Sequence, residues 1–173
     1  MAGTEPVGDH TAEVGMAQLK LDIGSGPTPL SGHVGVDLYA QGADIINAPM
    51  DQLPYPDGII YEINCSHALE HIPKVAVIPT LQEWYRVLMP GGKLTVEVPD
   101  LVWVCENWLE NQNNSWDMDA IFGDQSTPGQ FHQTGFSRQL LLQYLYDAGF
   151  HKTATVETPF THNQLCIKVT TVK

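Results

Sequence analysis

Near the start of the chain, Leu19-Lys20-Leu21-Asp22-Ile23-Gly24-Ser25-Gly26-Pro27 runs an apolar strand straight into a glycine-bearing turn. A strand ending on Gly-x-Gly brings bare backbone against a ligand, because glycine permits the tight turn and leaves no side chain in the way. This stretch predicts an α/β sheet with a cofactor site at the tip of its first strand.

The 173 residues, 43% of them hydrophobic, suffice for one domain with a sizeable core. A formal net charge of −12 with only 8 Lys plus Arg argues against a phosphate-backbone partner. Small molecules or neutral sugars fit that surface better. Cys65, Cys105 and Cys166 are odd in number and far apart, which reads as reduced core residues of an intracellular protein. With no basic-then-apolar leader and no apolar run of about 18 residues, the expectation is a soluble cytoplasmic protein. Residues 1 to 17 read as a mobile tail.

Only about ten residues separate strand 19–23 from the next apolar stretch, His33-Val34-Gly35-Val36-Asp37-Leu38, fewer than a helical crossover needs. The first helix is therefore expected to be missing or a single turn. Short strands follow at 44–47 and 59–65, the second apolar enough for a central strand. The spacing of Val77, Ile78, Leu81, Trp84, Tyr85 and Leu88 predicts a helix whose secure part is 79–88, with Pro79 in its first turn. A fifth strand at 93–98 leads to Asp100, which can cap another helix. The segment 111–136 is polar but carries Trp116, Phe122, Phe131 and Phe136, and reads as an inserted lid over the substrate. Ser137 caps a last helix that stops at Gly149, and strands at 153–157 and 165–171 close the chain as an antiparallel hairpin.

Five motifs in order resemble class I S-adenosylmethionine-dependent methyltransferases: Leu21 to Gly26, Gly35-Val36-Asp37-Leu38, Met50-Asp51-Gln52-Leu53-Pro54, Ser66-His67-Ala68-Leu69-Glu70-His71-Ile72, and Tyr85 to Leu94. The chain is similar to a small, compact branch of that family with a Ser-His-x-Leu-Glu-His strand end. The resemblance implies a Rossmann-like sheet of order 3-2-1-4-5-7-6 with one antiparallel strand, and S-adenosylmethionine as cofactor with S-adenosylhomocysteine as product. It also implies that Gly24, Ser25 and Gly26 pass under the methionine part while Asp22 helps to hold its ammonium. Asp37, followed by Leu38, would accept from the ribose hydroxyls; Asp51, with Gln52, would take the adenine amino group; and Ser66, at the end of strand four, would also contact the cofactor. The implied reaction is methyl transfer to a small-molecule, sugar or natural-product acceptor, with His67 as base, Glu70 orienting it and His132 as a second base or acceptor contact. Thr28 stands where larger relatives have a third glycine, and with little helix behind the loop, cofactor binding through a homodimer or partner subunit is one expectation.

Two alternatives belong beside this reading. A nicotinamide site wants a third glycine where Pro29 stands, and an acid about 20 residues on, whereas Asp37 follows Gly26 by 11. His67-x-x-Glu70-His71 is also the signature of a zinc hydrolase if a helix carries it, with His132 as an imaginable third ligand. A different class again is a cofactor-binding protein without catalysis, serving as partner to a larger enzyme.

Overall fold

The computed structural model describes residues 18–42, 44–112 and 115–173, so the expected tail at 1–17 lies outside the described residues. Seven strands form one continuous path: β1 (Lys20–Ile23), β2 (Val34–Val36), β3 (Ile45–Ile46), β4 (Ile60–Ser66), β5 (Leu88–Pro99), β6 (Thr155–Glu157) and β8 (Gln164–Val172). Their order is β3-β2-β1-β4-β5-β8-β6, with a two-residue β7 (Phe160–Thr161) pairing only with β8. Counting β8 as the seventh strand gives the order 3-2-1-4-5-7-6. It runs antiparallel to both β5 and β6, while β1 to β5 pair in parallel.

The central strands read as apolar because both their faces are covered: Leu21, Ile23, Ile63, Leu94 and Val96 are all buried. Helix α1 (Lys74–Val87) buries Val77, Leu81 and Trp84 and packs on α4 (Arg138–Asp147), which buries Leu141, Tyr144 and Leu145. α2 (Leu101–Asn111) pairs with α3 (Ser115–Phe122). The predicted caps form: Asp100 accepts from the Val102 amide, and Ser137 Oγ accepts from the Leu140 amide.

Among the described residues no helix lies between β1 and β4, as the short connections require. Polar side chains hold those connections instead. Buried Asp22 accepts from Asn64 Nδ2 at 2.8 Å across the β1–β4 pair and from the Leu30 amide at 3.0 Å in the following loop. The loop after β3 is braced by α1: Trp84 Nε1 donates to Met50 O, Glu83 accepts from the Leu53 amide, and Arg86 donates to Tyr55 O and Asp57.

Two expectations need correction. α1 begins five residues before Pro79, which sits in its interior. The carbonyl that loses its donor there belongs to Val75, 85% exposed, so water satisfies it. Cys65 and Cys166 are buried as expected, but Cys105 is exposed on α2, a helix that buries only Val104. Among the described residues, no helix is long and apolar enough to cross a membrane.

Candidate functional site

Beyond the carboxyl ends of β1, β2 and β4 lies a cavity of about 610 Å³, the size and place of a small-molecule site in an α/β sheet. Gly24 and Gly26 form part of its wall, with φ of +69° and +59°. A Cβ on Gly24 would fall 2.2 Å from the Ala68 Cβ, whereas one on Gly26 would meet nothing within 4 Å. The turn thus needs glycine at 24 for packing, and at both positions for its left-handed backbone.

Asp37, at the tip of β2, lines the same cavity. One carboxylate oxygen accepts from the Gly26 amide at 2.9 Å; the other accepts from the Tyr39 and Ala40 amides at 2.9 and 2.8 Å. An ionised carboxylate has about four acceptor positions, so one on the Gly26 side is left for a ligand hydroxyl. Leu38 and Asp51 line the cavity and are exposed.

Four sequence-predicted contacts are placed elsewhere. Asp22 is outside the cavity wall, both its oxygens engaged by Asn64 and Leu30. Ser25 turns its hydroxyl onto the Gly26 carbonyl, which braces the loop from behind. Gln52 and Ser66 are exposed but do not line the cavity.

His67 lines the cavity from the tip of β4, with φ of +52° and its amide donating to Glu97 O. Its ring lies between two acids: Nδ1 is 3.5 Å from Glu70 Oε1 and Nε2 is 3.6 Å from Glu97 Oε1. Burial pushes its pKa down, but neighbouring Cys166 and Glu70 outweigh this and push it up to about 10. Glu97, Cys166, Thr161 and His162 around Nε2 carried no signal in the sequence, because strand register brings them to the β4 tip, Glu97 from parallel β5 and the others from the β7–β8 hairpin.

His132 does not line the cavity. It packs edge-on against His71, which does, with ring centroids 4.7 Å apart. Burial pushes its pKa below the usual value, against the pull of Glu70. The segment around it is tied down over residues 70–72: the Gln133 and Thr134 amides donate to Glu70 O, Gln133 Nε2 to His71 O and Thr134 Oγ1 to Ile72 O.

The zinc-hydrolase geometry does not form. His67 sits in left-handed backbone before a 3-10 turn of Leu69–His71, so no helical face carries both histidines. They enter different clusters, His67 with Glu97 and Cys166, His71 with Glu70 and His132.

Comparison with known proteins agrees with the fold. Residues 21–96 match a family described as a methyltransferase domain. A Methanosarcina mazei S-adenosylmethionine-dependent methyltransferase superposes with a TM-score of 0.68 at 17% identity, covering 91% of this chain and 93% of that one. One from Thermotoga maritima, described as a possible histamine N-methyltransferase, gives 0.63 at 16% identity, covering 90% and 82%. The Burkholderia thailandensis 1,6-didemethyltoxoflavin-N1-methyltransferase, solved with 1,6-didemethyltoxoflavin and S-adenosylhomocysteine bound, gives 0.61 at 15% identity, covering 90% and 70%. No curated protein matches by sequence. At these identities the likeness shows a shared fold, and the family match places a methyltransferase-like segment at residues 21–96.

Proposed function

We propose that the cavity binds S-adenosylmethionine against the Gly24-Ser25-Gly26 turn and that the methyl acceptor is a small molecule, a sugar or natural product among the candidates. The observation that carries this reading is the turn itself: two left-handed glycines present bare backbone to a cavity that also holds Asp37 and Asp51. The site fits the cofactor in kind, since Asp37 keeps an acceptor position for a ribose hydroxyl and Asp51 stands free for an amino group, with Leu38 and Met50 as apolar walls for a purine. When bound, S-adenosylmethionine supplies a methyl group on a sulfonium sulfur for in-line displacement.

The chain's own contribution is alignment and exclusion of water. His67 at the β4 tip would touch the acceptor, held in orientation by Glu70 on one side and Glu97 on the other. His132 would act through His71 rather than on the acceptor. The segment 123–134 would close the cavity as a lid, with Gly129 against the Tyr39 ring and Gln130 and Gln133 in the wall. An acidic surface with few cations and a compact pocket support a small neutral acceptor over a nucleic acid.

The test is calorimetry and thermal melting with S-adenosylhomocysteine, run beside NAD. Saturation at about a hundred times the dissociation constant should add roughly 2.7 kcal/mol and raise the melt by several degrees. NAD should do nothing. A response to NAD alone, or to neither, would overturn the cofactor assignment.

A further inference from the structure

Glu70 is 2% exposed, yet no hydrogen-bond donor reaches either carboxylate oxygen. Its nearest charged neighbour is His67, with Nδ1 3.5 Å from Oε1. A carboxylate buried without donors is unfavourable unless it is paired, protonated or ligated. Two other side chains converge on it: one ligand atom from each of Glu70, His71 and His132 lies within 4.8 Å of the others.

The tautomers of both histidines are set by backbone. Nδ1 of His71 lies 3.2 Å from Phe131 O, and Nδ1 of His132 lies 2.9 Å from Ala120 O. A carbonyl only accepts, so each Nδ1 carries a proton, and Nε2 is the nitrogen each ring would offer to a metal. Imidazoles anchored by Nδ1–H to a carbonyl, with Nε2 turned to the ion, are the arrangement seen behind metal-bound histidines.

We propose that Glu70, His71 and His132 form a binding site for one divalent transition-metal cation of the zinc type, at the wall of the cavity. Two imidazoles and a carboxylate suit such a cation better than magnesium or calcium, which prefer all-oxygen sets. Three protein ligands leave a coordination position open, as in catalytic rather than structural zinc sites. Because His71 lines the cavity, that position borders it, and an acceptor oxygen held there would lose its proton more readily. This last step rests on the methyltransferase reading; the metal site does not.

A second cluster, His67, Glu97 and Cys166, is also compact enough for a metal. Its atoms already satisfy one another: Thr161 Oγ1 donates to Glu97 Oε1 at 2.9 Å and lies 3.1 Å from Cys166 Sγ, while Cys166 lies 3.7 Å from His67 Nε2. It lacks the orphaned carboxylate and serves as the competing outcome.

The experiment strips the protein with a chelator and titrates Zn²⁺ by calorimetry and Co²⁺ by visible absorption. One equivalent should bind, and the cobalt spectrum should show ligand-field bands without thiolate-to-metal charge transfer. Loss of a second-shell partner lowers metal affinity by about 10- to 100-fold, so losing a ligand in Glu70→Gln or His132→Gln should weaken binding by on the order of 100-fold or more. Cys166→Ser should bind as wild type. Glu70→Gln keeps shape and removes a buried charge; should it fail to fold, His71→Asn, at a half-buried position, carries the same test. No saturable binding, unchanged affinity in the ligand variants, or a charge-transfer band abolished by Cys166→Ser would each overturn the assignment. Titrating S-adenosylhomocysteine into the same samples keeps the two readings apart, since either ligand can bind without the other.

Discussion

At the scale of single residues, two aspartates do what a crossover helix does in larger sheets. Asp22 ties β1 to β4 and to the loop ten residues long that follows, and Asp37 ties that loop's glycine turn to the tip of β2. The sequence assigns both to a ligand; the structure also gives both backbone work, since an acid beside a turn is as well suited to backbone amides as to ammonium or ribose groups, and only Asp37 lines the cavity as well. Replacing Asp37 with Ala orphans the Gly26, Tyr39 and Ala40 amides, which are only half shielded from water. The expected loss is about 1–2 kcal/mol, a fall in the melt of roughly 2–4 °C per kcal/mol, with S-adenosylhomocysteine binding abolished. A melt that does not move would mean these three amides are served equally well by water.

Among the elements, agreement between sequence and structure follows how local the cause is. Strand positions, both predicted helix caps and the missing crossovers were readable, because apolar runs, capping residues and connection lengths are local signals, whereas the strand order came only with the family resemblance. α3 was not, because Ser115–Phe122 lacks an apolar stripe: Trp116 and Phe122 are about half exposed, and its buried residue is Asp117, which accepts from Asn107 Nδ2 on α2. Only tertiary contact explains that helix. The start of α1 was missed because Pro79 suggested a boundary, when its lost hydrogen bond falls on the solvent side. After α3, Gly123 turns the chain with φ of +78°, and a Cβ there would stand 1.7 Å from Gln130 O. Gly123→Ala should therefore push 123–130 off its seat while 133–134 stay bonded to Glu70. Faster hydrogen exchange across 123–132 and weaker S-adenosylhomocysteine binding, by on the order of tenfold, are expected with little change in the global melt. Exchange at wild-type rates would show that this segment does not need its present closeness.

Across the whole molecule, a net charge of −12 makes each cation's placement matter. Lys20 and Lys93 both hold Glu62, and Arg86 holds Glu83 through Nε at 2.7 Å while also gripping the loop that carries Asp51. The Arg86 hydrogen bond, opposed by burial and helped by the Leu53 amide, keeps the Glu83 carboxyl below its usual pKa; for Glu62, the two lysines outweigh burial to the same effect. A carboxyl depressed in the folded state adds stability that is complete above its unfolded pKa and lost as pH falls through its folded one. Protonating the unpaired acids meanwhile relieves repulsion over the same range, so the raw acid melt mixes two opposing trends. The difference between wild type and Glu83→Gln cancels the shared part. That difference in melting temperature should hold steady from pH 7 down to about 5 and shrink toward zero below roughly pH 4. Because Glu83 also accepts from the Leu53 amide, S-adenosylhomocysteine affinity in the variant should fall with the stability of the Asp51 loop. A difference that stays flat to the acid limit would assign Glu83 a role of shape rather than charge, and would move the hold on that loop to Trp84 and its bond to Met50.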